Sequence, residues 1–102
     1  MDPNAFHYNF SNPIILDFTG CKYADEIHLC LKNTFGFPEY YGMNWYALWD
    51  CIDGYFDRDE KRTVTVKGFR TLSDDLQDYC SIMWKIFNRI HEKCKDVEFI
   101  NE

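Results

Sequence analysis

The sequence predicts an α/β domain, a small three-stranded, mostly parallel sheet packed by three main helices. Two observations carry that expectation. Runs rich in branched and aromatic residues lie at 14–19, 63–69 and 96–100, and between them apolar residues recur at intervals of three and four. The first pattern suits strands and the second suits helices with one buried face. The order strand, helix, helix, strand, helix, strand requires crossover connections, which make neighbouring strands parallel. With 102 residues, the chain has room for one core. Residues 1–13 read as an N-terminal extension and 14–102 as a single domain.

Residues 1–12 are polar, although Phe6, Tyr8 and Phe10 alternate as an extended edge segment would. After Pro13, Ile14-Ile15-Leu16-Asp17-Phe18-Thr19 lacks clean alternation at its start, which predicts a strand covered on both faces. Gly20 and Cys21 turn the chain into a helix over 23–35, with Ile27, Cys30, Leu31 and Thr34 inward. Asp25 and Glu26 occupy its first turn, where the helix dipole favours negative charge. Gly36 can end it in a left-handed conformation, and Pro38 cannot continue it.

Asn44 is placed to cap a second helix over 45–55, whose apolar stripe is Trp45, Leu48, Trp49 and Ile52. Tyr46, Asp50 and Asp53 share another face. A charged loop over 56–62 leads to the alternating strand that ends near Gly68. Thr71 or Ser73 can cap the third helix, and Thr71 with Asp74 resembles a capping box. Its stripe of Leu76, Cys80, Met83, Phe87, Ile90 and Cys94 spans about five turns.

Composition narrows the function classes. A net charge of −6 points away from nucleic acid and anionic membranes, and it suits a basic protein partner. Aromatic residues make up 19% of the chain, a surplus that favours a binding surface in addition to a core. Five cysteines, an odd number, fall mostly at apolar helical positions and follow no signal peptide. Reduced thiols in a cytoplasmic protein are expected.

Catalytic and metal-binding patterns are weak. His28 with Cys30 and His91 with Cys94 are the only His/Cys neighbours, and neither has a zinc-finger spacing. A helix turns Cys30 about 200° away from His28. There is no nucleophile-elbow, phosphate-loop or dinucleotide fingerprint, and no metal or cofactor is expected. Asp50 and Asp53, at i and i+3, admit three readings: a solvated face, an acid/base pair of a small hydrolase, or an acidic patch aimed at a basic partner. The hydrolase reading requires both acids in one cleft with one pKa raised. Beside them, five large aromatic rings lie between Tyr40 and Trp49.

The stretch Pro38-Glu39-Tyr40-Tyr41-Gly42-Met43-Asn44-Trp45-Tyr46-Ala47-Leu48-Trp49-Asp50-Cys51-Ile52-Asp53-Gly54 closely resembles the centre of the barstar family, the intracellular ribonuclease inhibitors. Outside this stretch, the order of elements from Ile14 to Ile100 is similar, while the residues match loosely. The resemblance implies an inhibitor that is not an enzyme and has no catalytic residues. Its parallel sheet is packed by helices, and its second helix and preceding loop plug the active site of a ribonuclease, with acids imitating RNA phosphates. Asp50 takes the place of the acid entering the phosphate site, and Tyr40 that of the tyrosine packing on the catalytic histidine. Gly42, Asn44 and Trp49 match further contact positions.

Several positions depart from the family pattern. Tyr55 replaces a tryptophan at the interface edge, Tyr46 replaces a second aspartate, and Asp53 replaces a threonine. Arg89 stands where the family has a glutamate that meets an enzyme arginine. The implied partner is a basic cognate ribonuclease or toxin domain bound 1:1, different from the family's original target. A binding domain against a non-nuclease toxin or a regulatory protein is the other reading of the same surface.

Overall fold

The computed structural model describes residues 12–56 and 61–102. The segment with Phe6, Tyr8 and Phe10 and most of the charged loop before the second strand lie outside the described residues. Three strands, β1 (Ile14–Asp17), β2 (Arg62–Lys67) and β3 (Val97–Asn101), form one sheet in the order β1-β2-β3, with both pairs parallel. Ile14 pairs with Val64 and Leu16 with Val66, while Val64 also pairs with Phe99. Asn12 ties the entry of β1 to β2: its side chain accepts from Thr63 N–H at 3.1 Å and donates to the Lys61 carbonyl at 3.2 Å.

The sheet is covered on one face. Ile14 and Leu16 are fully buried, but Ile15 is 44% exposed and Asp17 is exposed, so β1 is not covered on both sides as its sequence suggests. The reason is topological. As an edge strand, β1 has helices on one side only, and Ile15 and Ile100 flank Thr65 in register on the opposite face. An apolar pair at a strand's start does not distinguish these cases.

Helix α1 (Ala24–Phe35) packs on β1. The Glu26 carboxylate accepts from the Lys22 and Tyr23 N–H groups at 2.8 and 3.1 Å, satisfying donors before the first turn. Gly36, at φ 76°, ends the helix as expected, with its N–H on the Lys32 carbonyl at 2.9 Å. The buried stripe is Ile27, His28, Leu31 and Phe35, whereas Cys30 and Thr34 are only half-buried. The inward face is therefore rotated from the predicted one, because His28 is buried through polar contacts that hydropathy does not weigh.

Helix α2 (Trp45–Ile52) stops one turn before its predicted end. Tyr55 N–H bonds the Ile52 carbonyl at 3.0 Å in a tight turn that sends Tyr55 and Phe56 into the core. The third helical segment is two helices, α3 (Asp74–Tyr79) and α4 (Ser81–Lys93), parted at Cys80, whose ψ of −2° departs from a regular helix. The predicted stripe keeps its period across the break, and all six of its members are buried. Ser73 caps α3 by accepting from Leu76 N–H at 3.2 Å, whereas the Thr71 hydroxyl donates to the Gly68 carbonyl at 2.6 Å and caps nothing. α4 packs on β3, and α2 and α3 pack against α4. Phe87 and Phe99 stack at 4.3 Å between centroids where α4 meets the sheet.

Gly68 closes β2 at φ 72° against the turn after β1, where a Cβ would lie 2.5 Å from the Thr19 nitrogen and 2.9 Å from its Cα. Both contacts are with backbone, so no side-chain rotation relieves them. Gly68→Ala is expected to destabilise the protein by at least about 2 kcal/mol, combining left-handed strain with overpacking. Urea unfolding of the variant measures this, and a loss below about 0.5 kcal/mol, the scale of an ordinary surface change, would contradict it.

Candidate functional site

The face that carries most of the predicted site residues is built by α2 and the loop before it. Asn44 caps α2 and ties it to the preceding loop: its Oδ1 accepts from Ala47 N–H at 2.8 Å, and its Nδ2 donates to the Gly42 carbonyl at 3.1 Å. The preceding residue, Met43, is held at φ 54°, a conformation that costs a non-glycine residue about 1–2 kcal/mol. Leu48, Cys51 and Ile52 point α2 into the core, leaving Tyr46 86% exposed and Asp50 exposed on the outer side. Trp45 and Trp49 lie at the boundary, half-buried.

Beneath this face sits His28, only 1% exposed. Its Nδ1 is 2.8 Å from the Tyr41 hydroxyl and its Nε2 is 2.7 Å from the Tyr79 hydroxyl. A neutral imidazole satisfies both, with one nitrogen donating and the other accepting. The Trp45 ring lies 4.5 Å from His28 and 4.9 Å from Tyr79, between centroids. The Trp45 Nε1–H is buried without an acceptor among the described residues. Burial lowers the pKa of His28 from its ordinary 6.5, with the negative charge of Asp25 opposing weakly, and burial raises the phenols of Tyr41 and Tyr79. With Tyr41 drawn inward, its neighbour Tyr40 is left 61% exposed.

Two depressions flank the Tyr46 ring. The smaller, about 310 Å³, is walled by Tyr40, Tyr41, Gly42 and the capping Asn44 from the loop and by Tyr46 and Asp50 from α2. The larger, about 560 Å³, runs between α2 and α4 and holds Trp49. Asp50 has no hydrogen-bond or ion-pair partner among the described residues. Asp53 lies outside both depressions and pairs with Lys93 of α4. The two carboxylates therefore do not share a cleft, which removes the geometry a carboxylate-dependent hydrolase needs. Lys93 and Arg89 also lie over the Trp49 ring, at 5.5 and 5.9 Å from its centroid.

Three of the cysteines are poor nucleophiles. Burial, then the neighbouring Cys30 thiol at 3.6 Å, pushes Cys21 up to about 12; burial alone pushes Cys80 to about 11, and it also raises Cys51. Such thiols stay protonated at neutral pH, and the thiolate is the reactive form. Among the described residues there is no group of three or more His, Cys, Asp or Glu able to hold a metal ion, and no helix is long and apolar enough to cross a membrane.

The family model described as Barstar (barnase inhibitor) matches residues 12–100. The chain belongs to the barstar family. The Bacillus subtilis (strain 168) protein named "Putative ribonuclease inhibitor YrdF" is 32% identical over 83 residues, covering 81% of this chain and 89% of that protein. The barstar family is one of inhibitors, not enzymes, and the parallel sheet packed by helices agrees with its architecture.

Most of the positions carried over from the barstar pattern meet on the one face, but Tyr55 does not. It is 8% exposed, with its ring at 5.3 Å from Phe35 and 4.8 Å from Phe56 in edge-on contacts, and the Arg62 guanidinium 5.9 Å above it. Sequence reasoning also missed His28 as a support. The available signal was its spacing from Leu31 and Phe35, three and seven residues along the same helix face.

Two solution measurements follow. Tyr55→Ala is expected to cost about 3 kcal/mol of stability as a core truncation, whereas Tyr46→Ala should stay within about 0.5 kcal/mol. Urea denaturation of the pair separates core from surface, and equal losses would contradict the assignment. For His28, the unfolded chain takes up a proton at higher pH than the native protein does. Stability therefore falls as pH drops below about 6.5 and levels off below the native pKa. NMR titration of the His28 ring is expected to give a midpoint below 6.5, and the fall in stability between neutral and mildly acid pH should shrink in His28→Asn. A midpoint at or above 6.5 would overturn this account.

Proposed function

We propose that this protein is a cytoplasmic inhibitor that occludes the active site of a cognate ribonuclease with the loop before α2 and the outer face of that helix. The observation that carries the proposal is Asp50. It is an exposed carboxylate, unpaired among the described residues, on the wall of a depression lined by tyrosines. An RNA-cleaving enzyme needs a positive cleft to hold phosphates, and an ionised carboxylate on a rigid helix competes for the same donors. Tyr40 and Tyr46 supply rigid apolar area on either side, the side-chain type that dominates interface energetics. Gly42 and Asn44 shape the loop so that these rings project. Family membership and the name of the Bacillus subtilis relative support the target class.

The mechanism requires no chemistry from the inhibitor. A protein of net charge −6 is drawn electrostatically toward a basic enzyme, and the complex is 1:1 because one helix face fills one cleft. The enzyme loses activity because its phosphate site is filled. Asp53 contributes less directly, since Lys93 already neutralises it. Trp49 acts at the margin, beside the cations of α4.

The test begins with a tagged copy of the protein used to recover its partner from the native lysate, or mixed with the product of a neighbouring toxin gene. RNA cleavage is then measured across a titration. Stoichiometric loss of cleavage is expected, and Asp50→Ala should weaken inhibition by at least about 3 kcal/mol, more than 100-fold, while changing fold stability by no more than about 0.5 kcal/mol. Inhibition unchanged in D50A would remove Asp50 from the interface. A tight complex with a protein that does not cleave RNA would transfer the surface to the non-nuclease reading.

A further inference from the structure

The basic side of the Tyr46 ring is not explained by phosphate mimicry. The cleft of about 560 Å³ between α2 and α4 is lined by Trp45, Trp49, Ile82 and Ile86 together with Lys85 and Arg89. The two cations are four residues apart on α4, so they lie on one face, one turn from each other. Neither has a hydrogen-bond or ion-pair partner among the described residues. Acidic residues outnumber Lys and Arg 17 to 11 in this chain, and Lys32, Lys67 and Lys93 each meet a carboxylate. Against that surplus, Lys85 and Arg89 stand unneutralised among the described residues, beside a large apolar recess.

We propose that this cleft is a second subsite of the interface, which takes an apolar side chain of the ribonuclease together with an adjacent carboxylate. The apolar group would fill the recess between the two tryptophans and the two isoleucines, and the carboxylate would bridge Lys85 and Arg89. The cleft's volume lies within the range of sites that bury a small ligand or a single large side chain. The Arg89 guanidinium, 5.9 Å from the Trp49 ring centroid, is already held beside that ring, and its planar fork suits bidentate pairing with a carboxylate. The interface is then bipolar, with Asp50 meeting cations on one side of Tyr46 and Lys85 and Arg89 meeting an anion on the other. Opposite charges on either side of one ring set the register of docking, and they reject an enzyme that presents a basic group to the cleft. This inference rests on the reading of α2 as the inhibitory face.

Two measurements test it. In the isolated protein, 3-phenylpropionate is titrated while the indole N–H signals of Trp45 and Trp49 are followed by NMR, with 3-phenylpropanamide as the uncharged control. The acid is expected to bind at least fivefold more tightly than the amide, and the preference should vanish in Lys85→Glu/Arg89→Glu. Equal binding of the two probes, or no response from either indole, would overturn the subsite. In the inhibition assay with the recovered ribonuclease, the double charge reversal should raise the inhibition constant at least 30-fold, with the folded spectrum retained. An acidic-to-lysine change at the facing residue of the enzyme should restore at least a third of that loss. If the double variant inhibits like the wild type while D50A does not, the subsite is overturned and the inhibitory face stands. If neither variant affects inhibition, the inhibitory face itself is overturned, and this proposal with it.

Discussion

His28 ties together three segments that the chain would otherwise leave independent: α1, which carries it, the loop that holds Tyr41, and the end of α3, which supplies Tyr79. Both ring nitrogens are used, and the Trp45 ring covers the imidazole from α2. Buried hydrogen bonds of this kind are stronger in a low-dielectric interior and expensive to leave unmade, so the cluster tolerates few alternative arrangements. Its effect reaches the surface because Tyr41 is held inward while its neighbour Tyr40 is left exposed. On the proposed reading, a loop anchored in this way loses less conformational entropy on docking than an unanchored one.

Charge on the outer face is sorted by what α4 supplies. Asp53 is matched by Lys93, whereas Asp50, one turn earlier, is matched by nothing among the described residues. The surplus of negative charge acts at long range and screens with salt, which on the proposed reading suits capture of a basic enzyme. The pattern around Tyr46 is finer than the net charge suggests, because a carboxylate and two cations, all unpaired with opposite charge among the described residues, line the depressions on either side of the same exposed ring. On the proposed reading, a surface in which Tyr46 and Arg89 stand in place of the family's acids keeps Asp50 and changes what surrounds it. Substitutions of that kind alter which enzyme is recognised more readily than they alter the manner of recognition.

The chemistry of an enzyme is not assembled on this face. Asp50 and Asp53 fall in different surroundings, and three of the cysteines are pushed by burial to pKa values where the reactive thiolate is scarce. The aromatic residues divide instead between core and surface. Phe35, Phe87 and Tyr55 pack inside, and Tyr40 and Tyr46 project. The high aromatic content thus divides between a single small core and an exposed face.

Local sequence determined the elements that depend on neighbours in the chain. The Asn44 cap, the Gly36 stop and the stripe from Leu76 to Cys94 follow from hydrogen bonds and periodicities spanning a few residues, and the parallel strands follow from the order of elements along the chain. The family was legible in the same way, from the specific run of residues between Pro38 and Gly54. Tertiary structure decided the rest, because each remaining feature depends on what a distant segment supplies. Which face of β1 is covered depends on where the helices lie. Tyr55 turns inward because Phe35 and Arg62 are there to receive it. His28 is buried because two tyrosines, one of them 51 residues away, meet its ring nitrogens. The two aspartates of α2 differ because one lysine, 40 residues on in the chain, reaches Asp53, and no cation among the described residues reaches Asp50.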